Sequence, residues 1–355
     1  MLLKRWCRSG CSDFSFIHVV FMSGLLLLTG CSSIGIGTET AYVVSERMEL
    51  RSSTAKVFKP VGELKNGDRV TILEHAEEEG RSWAKLRGPN GQIGWADARF
   101  LVSSDLVSTL QQIADQIKDV PAQALGQSKS YLKLRTSPDR ASDDNVVTRL
   151  QAGTFFEIID RERKPRPASV EAKSSVSADD EDDEKDTEQK YDEWFRVRVK
   201  DNKVLPAGWV YGGSVQFDIP DEIRYYTSMD HKIVGWQKIG TVSDSGGRSG
   251  GAYLVLEKEI YPEDKDKSGR EDFDRIQVVS WDPGRRDYFT PVRENIRGKF
   301  PVTLKMDGNH GKIQIRELDK SENLQNRECT VELASDGRIT MTGLKSSEPR
   351  DKHKK

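Results

Sequence analysis

Few residues in this chain could carry out catalysis. Cys329 is a thiol within Arg327-Glu328-Cys329-Thr330-Val331, where polar and apolar residues alternate. Such alternation predicts a half-buried strand, so we expect Cys329 to be a buried, unreactive core residue. The histidines beyond residue 31 lack the spacing of metal ligands: His75, His231, His310 and His353. Because no motif brings a nucleophile and a base together, we predict that the protein is not an enzyme.

One segment has the residue types of a calcium loop. Asp264, Asp266 and Ser268 occur at alternate positions, a glycine follows, and Asp272 comes three residues after it. These residues match positions one, three, five, six and nine of the EF-hand loop, whose oxygen ligands suit Ca²⁺. Arg275 replaces the glutamate needed at position twelve, and no helix is predicted on either side. The sequence favours a solvated hairpin loop, with a weak calcium site as the alternative, and we expect no other cofactor.

The N-terminus has the layout of a secretory signal that ends at a cysteine. Lys4, Arg5 and Arg8 give a basic start, and residues 14–28 are mostly apolar. The stretch Leu28-Thr29-Gly30-Cys31 resembles a bacterial lipobox. This resemblance implies cleavage before Cys31 and lipid attachment to it, and several acyl chains on one residue give stable membrane anchoring. The apolar run is shorter than the ~20 residues of a transmembrane helix.

We therefore expect a lipoprotein signal peptide over residues 1–30, a tether over 31–40, and a lipid-anchored protein of the cell envelope. Ser32 stands where enteric lipoproteins of the inner membrane have an aspartate, which favours the outer membrane, facing the periplasm. Cys7 and Cys11 leave with the signal peptide, so Cys329 has no partner for an intramolecular disulfide.

Four landmarks occur twice in the same order, which indicates an internal duplication. The first copy contains Leu50-Arg51-Ser52-Ser53, Leu64 to Leu73, Trp83-Ala84-Lys85-Leu86 and Gly94-Trp95-Ala96. The second contains Leu134-Arg135-Thr136-Ser137, Leu150 to Ile159, Trp194-Phe195-Arg196-Val197 and Gly208-Trp209-Val210. Short alternating strands separated by glycine and polar turns predict small barrels, and each Gly-Trp step suits a backbone that passes close to its neighbour.

This repeated pattern resembles the bacterial SH3 domain, a small β-barrel that occurs in tandem on envelope proteins. The resemblance implies two SH3-like barrels, over residues 41–102 and 128–217. It further implies binding of peptidoglycan peptides or of an envelope protein partner. A shallow ligand groove could be lined by aromatic and acidic residues of both copies: Trp83, Trp95, Asp97, Trp194, Trp209 and Tyr211. We expect Trp95 and Trp209 to be mainly structural, with a groove beside Asp97 or Tyr211 as the alternative.

Two connecting segments have distinct compositions. Within the linker 103–127, Leu106, Leu110, Ile113 and Ile117 form one apolar stripe, which predicts a short helix capped by Ser104 or Asp105. We expect this helix to pack on a barrel, with partner binding as the alternative. Residues 164–189 form an acidic insertion with almost no apolar residues, which predicts a disordered loop; a role in binding cations or basic partners stays open.

Residues 221–345 have alternating strands without the repeat landmarks, followed by a basic tail over 346–355. We predict an antiparallel meander that forms a barrel or a sandwich-like domain, with strands including 287–292 and 300–306 as separate elements. The whole chain is thus expected to be mainly β, with two SH3-like barrels in tandem joined by a short helix and a third β domain.

Composition excludes one class of function. The net charge is −2, and residues 1–30 carry +2 from Lys4, Arg5, Arg8 and Asp13, so the mature chain carries −2 − 2 = −4. A nucleic-acid-binding protein needs a basic face, so we expect no nucleic acid partner. The favoured function is an envelope binding or scaffold protein. The alternative is a sensor or assembly factor whose C-terminal domain holds a lipid or another ligand.

Overall fold

Alternating polar and apolar residues form antiparallel strands along most of the chain. The computed structural model describes residues 39–167, 191–260 and 270–344, and these residues form three seven-stranded antiparallel sheets. The prediction of a mainly β protein is therefore confirmed.

The first sheet forms the first module. Its strands run in the order β3-β2-β6-β5-β4-β1-β7 and are β1 (Thr40–Val43), β2 (Arg47–Arg51), β3 (Pro60–Lys65), β4 (Arg69–Glu78), β5 (Arg81–Arg87), β6 (Ile93–Asp97) and β7 (Leu101–Ser103). Every second side chain points inward, and the buried core contains Leu50, Leu64 and Leu86. Val57, in the β2–β3 connection, and Val61, on the edge strand β3, are 90% and 41% exposed.

The second sheet forms the second module. Its strands run in the order β10-β9-β13-β12-β11-β8-β14 and are β8 (Ala124–Ser128), β9 (Leu132–Arg135), β10 (Val146–Leu150), β11 (Phe155–Pro165), β12 (Tyr191–Arg198), β13 (Ala207–Tyr211) and β14 (Val215–Phe217). Position by position, this order repeats that of the first sheet. β8 begins before the expected boundary at Ser128, and β11 extends into the expected insertion as far as Pro165. The rest of the insertion, from residue 168 to 190, lies outside the described residues.

A glycine at the same place in each module makes this strand order possible. A Cβ atom on Gly94 would lie 3.0 Å from the carbonyl oxygen of Arg51, and a Cβ on Gly208 would lie 3.0 Å from that of Arg135. Real Cβ atoms hardly ever come so close to backbone, so β6 and β13 can cross beside β2 and β9 only without a side chain.

The predicted helix is α1 (Ser104–Ile117). Its cap is Ser103, whose hydroxyl accepts a hydrogen bond from the backbone N–H of Leu106 at 3.3 Å, so the expected caps at Ser104 and Asp105 were wrong by one or two residues. Leu110, Ile113 and Ile117 are buried in one cluster with core residues of the second module. The apolar stripe of this helix is therefore occupied by packing within the chain.

The third sheet is a meander in chain order. It follows the short helix α2 (Asp221–Arg224) and consists of β15 (His231–Ser243), β16 (Ser249–Glu259), β17 (Phe273–Asp282), β18 (Asp287–Asp307), β19 (His310–Leu318), β20 (Leu324–Leu333) and β21 (Ile339–Thr342). The two strands predicted over 287–292 and 300–306 are a single strand, β18. Its first half pairs with β17 and its second half with β19, and Gly298 pairs with both.

β18 bends the meander into two halves that enclose one core. At the bend, a Cβ on Gly298 would lie 2.1 Å from the ring of Phe273, so glycine is required there. Phe273 and Phe300 are fully buried, with ring centroids 5.7 Å apart, and aliphatic residues of both halves surround them. The domain is thus sandwich-like, and the part of its interior that the structure describes is filled by its own side chains.

A second core joins the C-terminal domain to the second module. The outward side chains of β15, β16 and β17 belong to the same buried cluster as α1 and the second module, including Trp236, Tyr253 and Val255. Gln123 precedes β8 and is fully buried. It links the second module to a part of the C-terminal domain that is far away in sequence. Its side chain accepts a hydrogen bond from the N–H of Val302 at 2.8 Å and donates to the carbonyl oxygen of Val302 at 3.0 Å.

Candidate functional site

An aromatic surface lies on the outer side of the first module. Because Ala84, Leu86 and Ala96 point into the core, their neighbours Trp83, Lys85, Trp95 and Asp97 point outward. The register places Trp83 opposite Asp97 and Lys85 opposite Trp95 across β5 and β6. We use the name aromatic face for this surface, which comprises Arg51, Phe58, Trp83, Lys85 and Trp95.

Cationic side chains order the aromatic face. The guanidinium carbon of Arg51 lies 4.0 Å from the ring centroid of Phe58 and 5.0 Å from that of Trp83. Trp83 is 5% exposed, whereas Trp95 is only partly buried, with the Lys85 ammonium 5.9 Å from its ring centroid. Arginine and lysine over aromatic rings give cation–π attraction, which holds the rings in place without covering Trp95 completely.

Asp97 lies beside this face and is held by its own turn. Its carboxylate accepts hydrogen bonds from the Arg99 side chain at 2.6–3.1 Å and from the Arg99 backbone N–H at 3.0 Å. The hydrogen bond from the Arg99 side chain keeps the pKa of Asp97 below its usual value. Asp97 therefore caps the helical turn before β7 as a carboxylate.

The second module has an equivalent surface, but its own residues close it. Trp194 pairs with Tyr211 and Arg196 with Trp209, in the register of the first module. Trp194 and Trp209 are 1% and 5% exposed, and the Arg196 guanidinium lies 4.7 Å from the Trp209 ring centroid. The expected structural role of Trp209 fits this burial, whereas Trp95, its counterpart, stays accessible.

An arginine from the β9–β10 loop completes this closure. Arg140 donates two hydrogen bonds of 2.7 Å to the carboxylate of Asp192, which is 2% exposed, and its guanidinium stacks 4.5 Å from the Tyr211 ring centroid. Arg135 donates to Ser142 and Asn145 of the same loop. The six expected groove residues thus form two separate sets of three, and only the set in the first module contains a partly exposed tryptophan, Trp95.

Several contributors to the sites were not identified from the sequence. Arg51 and Arg135 follow the repeated leucine of the first landmark, so their position in the repeat was a usable signal. Phe58 and Arg140 lie in loops of unrelated sequence, where no repeated pattern marks them.

The other expected sites have different outcomes. Cys31, the tail after residue 345, and Asp264, Asp266 and Ser268 lie outside the described residues. Asp272 is 1% exposed and accepts hydrogen bonds from the Lys299 ammonium at 2.7 Å and the Phe300 N–H at 2.9 Å. Its carboxylate is therefore already paired, which does not favour a role as a calcium ligand; the weak calcium alternative itself stays a prediction, because its other residues lie outside the described part of the chain. Across residues 39–167, 191–260 and 270–344, no group of three acidic, histidine or cysteine side chains is placed to hold a metal.

Cys329 is buried in β20, at 1% exposure, and this burial raises the pKa of its thiol. Within the described parts of the chain, no helix combines the length and the apolar character needed to cross a membrane.

Comparison with known proteins identifies a family for one part of the chain only. No curated protein matches the chain. Among solved structures, NlpC2 from Trichomonas vaginalis is similar at 10% identity over 54% of this chain and 51% of that chain, with a TM-score of 0.16, so the chain spans about half the length of NlpC2. NlpC1 from the same organism is similar at 10% identity over 82% of this chain and 87% of that chain, also with a TM-score of 0.16. Similarity at these scores does not define a shared overall fold.

The family model described as Bacterial SH3 domain matches residues 46–102. The matched range covers β2 to β7 and includes every residue of the aromatic face. The second module repeats the strand order but lies outside that match. The chain therefore contains a bacterial SH3 domain in its first module.

Proposed function

We propose that this protein is a lipid-anchored, non-enzymatic binding protein of the cell envelope, and that its first module holds the ligand on the aromatic face. The second module and the C-terminal domain act as the rigid scaffold that presents this module. The lipid anchor at Cys31, and the outer membrane facing the periplasm as its location, belong to the same proposal.

The observation that carries the proposal is the accessibility of Trp95 within an otherwise ordered face. A partly exposed indole beside fixed cations is a common anchor in binding sites, because it offers a large apolar area at little cost in conformational entropy. In the second module the equivalent Trp209 is buried beneath Arg196, so a ligand would have to displace the module's own side chains. The proposal therefore assigns one ligand to each chain.

The charges around Trp95 indicate the kind of ligand. Arg51 and Lys85 belong to the face and Arg99 lies beside it; Arg99 is paired with Asp97, and Lys85 has an exposed ion pair with Glu74 at 3.6 Å that a ligand carboxylate could replace. A ligand with both an apolar part and a carboxylate would contact the indole and the cations together. Peptidoglycan stem peptides have this chemistry, and they are the proposed ligand; an acidic segment of an envelope protein is the alternative.

Sedimentation with isolated cell-wall sacculi tests the proposal. The whole chain is compared with Trp95→Ala and with Tyr131→Ala, which removes a 75% exposed aromatic ring from the second module. We expect Trp95→Ala to weaken binding about tenfold, as for a central aromatic anchor, and Tyr131→Ala to bind like the parent. Thermal unfolding of both variants establishes that they are folded.

Two results would contradict the proposal. Recovery of the parent protein only in the supernatant would exclude peptidoglycan as the ligand. Equal binding by Trp95→Ala and the parent would exclude the aromatic face as the site.

The non-enzymatic part of the proposal is supported by Cys329. A thiol that is buried in a strand and has a raised pKa is a poor nucleophile, because the reactive thiolate is disfavoured. The alternative of a lipid inside the C-terminal domain has no comparable support, since Phe273 and Phe300 fill the described interior.

A further inference from the structure

The C-terminal domain carries an open groove of about 600 Å³ on the solvent side of β18 to β21. Its walls are mostly the outward polar side chains of four neighbouring strands, and Met306 and Val331 lie at its base, next to the core. The groove lies outside the core described above and is independent of the aromatic face.

Strand register arranges the groove residues in rows that cross the sheet. One row contains Lys305, Lys312, Thr330 and Thr342, on four successive strands. The adjacent row, nearer the hairpin turn, contains Asp307, His310, Glu332 and Thr340.

The first row places two cations directly opposite each other. Lys305 pairs with Lys312 across β18 and β19, and like charges in this position repel. Lys312 has an ion pair with Glu328 at 3.3 Å, whereas Lys305 has no ion pair within the described chain. An oxyanion bound between the two ammonium groups would remove this repulsion.

Hydroxyl and amide groups surround the lysine pair. Thr303 and Gln314 line the groove on one side, and Thr330 and Thr342, whose Oγ1 atoms lie 2.5 Å apart, line it on the other. These groups both donate and accept hydrogen bonds, so they match the hydroxyls of a polyol or a sugar chain.

We propose that this groove binds a hydroxyl-rich polymer that bears oxyanions, with one carboxylate or phosphate held between Lys305 and Lys312. The chain of the polymer runs across the strands, and its hydroxyls contact the threonine and glutamine side chains. The carboxylates of the acidic row, Asp307 and Glu332, accept hydrogen bonds from further hydroxyls of the polymer.

Direct binding measurements on the whole protein test this site. The probes are polygalacturonate, which carries carboxylates, poly(glycerol phosphate), which carries phosphates, and neutral dextran; polyglutamate serves as an anion without hydroxyls. Lys305→Gln is compared with Lys320→Gln, an exposed lysine in the β19–β20 turn outside the groove. We expect Lys305→Gln to weaken binding about fivefold, with Lys320→Gln unchanged, and we expect added salt to weaken binding by the parent.

The four probes and the two lysine variants distinguish the possible results. Binding of polygalacturonate alone, of poly(glycerol phosphate) alone, or of both supports the proposal and identifies the oxyanion. Binding of neither polymer overturns it. Equal loss in the two lysine variants would place the site elsewhere, and polyglutamate binding as tight as that of the polyols would show attraction to charge alone, which also overturns the proposal.

Discussion

Replacing Gln123 with alanine should loosen the junction between the second module and the C-terminal domain. The regular pairing of β18 with β19 is interrupted between Lys299 and Thr303, so Val302 lacks ladder partners there. Side chains replace them: Gln123 bonds to both the N–H and the carbonyl oxygen of Val302, and Gln237 donates to the same oxygen at 2.6 Å.

The expected loss of stability follows from the buried hydrogen-bonding groups that the alanine leaves without a partner. The N–H of Val302, a fully buried residue, loses its partner, and an unsatisfied buried donor costs about 1–3 kcal/mol. The carbonyl oxygen of Pro121 loses a 2.8 Å hydrogen bond as well, whereas the oxygen of Val302 keeps Gln237. We expect the free energy of unfolding to fall by about 2–4 kcal/mol.

Urea unfolding followed by tryptophan fluorescence measures this loss, because Trp236 lies at the junction and its backbone N–H donates to the backbone oxygen of Gln123 at 2.6 Å. Gln216→Ala is the control, since Gln216 is exposed on β14 and its loss should change stability by less than about 0.5 kcal/mol. A loss below about 1 kcal/mol for Gln123→Ala would refute the reasoning. Addition of Gln237→Ala should give a non-additive result, because both glutamines bind Val302.

Three other changes have defined outcomes. Arg140→Ala leaves the carboxylate of Asp192 buried without its main partner, so we expect the free energy of unfolding to fall by about 3 kcal/mol. Acrylamide should also quench the tryptophan fluorescence of the second module more easily. Unchanged quenching would argue against the closed surface. The thiol of Cys329, with its raised pKa, should react with a disulfide reagent at pH 8 only after unfolding, and rapid labelling of the native protein would contradict its burial. Because Arg99 lowers the folded-state pKa of Asp97, this carboxylate stabilises the fold above its unfolded pKa of about 3.9, and that contribution is lost as pH falls through the lowered value. Asp97→Asn should therefore lower the free energy of unfolding by about 0.5 kcal/mol at neutral pH and reduce its dependence on pH in the acid range. An unchanged pH dependence would argue against the pairing of Asp97 with Arg99.

Local patterns predicted the elements well. The repeated landmarks located both modules because each landmark reflects a local structural requirement: a leucine that points inward, a glycine in a turn, and a glycine where two strands come close. The helix stripe was correct for the same reason, although its cap was one residue earlier. The prediction of two separate strands, over 287–292 and 300–306, was wrong. Gly298 and Pro301 are residues that normally interrupt strands, which is why a break was expected there. Here Gly298 makes room for Phe273, and Pro301 lies where β18 has no partner on β19.

Long-range contacts could not be predicted in this way. Nothing in the sequence around Gln123 indicates that it bonds to Val302, and the closure of the second module depends on a loop arginine reaching Asp192. Trp95 and Trp209 look equivalent in sequence, yet Trp209 is buried, with the guanidinium of Arg196 4.7 Å from its ring centroid, whereas Trp95 is only partly buried, with the ammonium of Lys85 5.9 Å away. This difference in exposure depends on side-chain packing in the folded protein.

The shared core has a consequence for how this chain can be divided or recombined. The last strand of the second module ends at Phe217, where a cut would seem natural, but the cluster that includes Trp236, Tyr253 and Val255 continues across that point. A fragment ending there would present its half of the interior to water and should aggregate. The exchangeable pieces of this protein are therefore unequal. The first module has a core cluster of its own and reaches the shared cluster only at its edge, through Val102, whereas the described chain from α1 to residue 344 would be inherited or transplanted as one block.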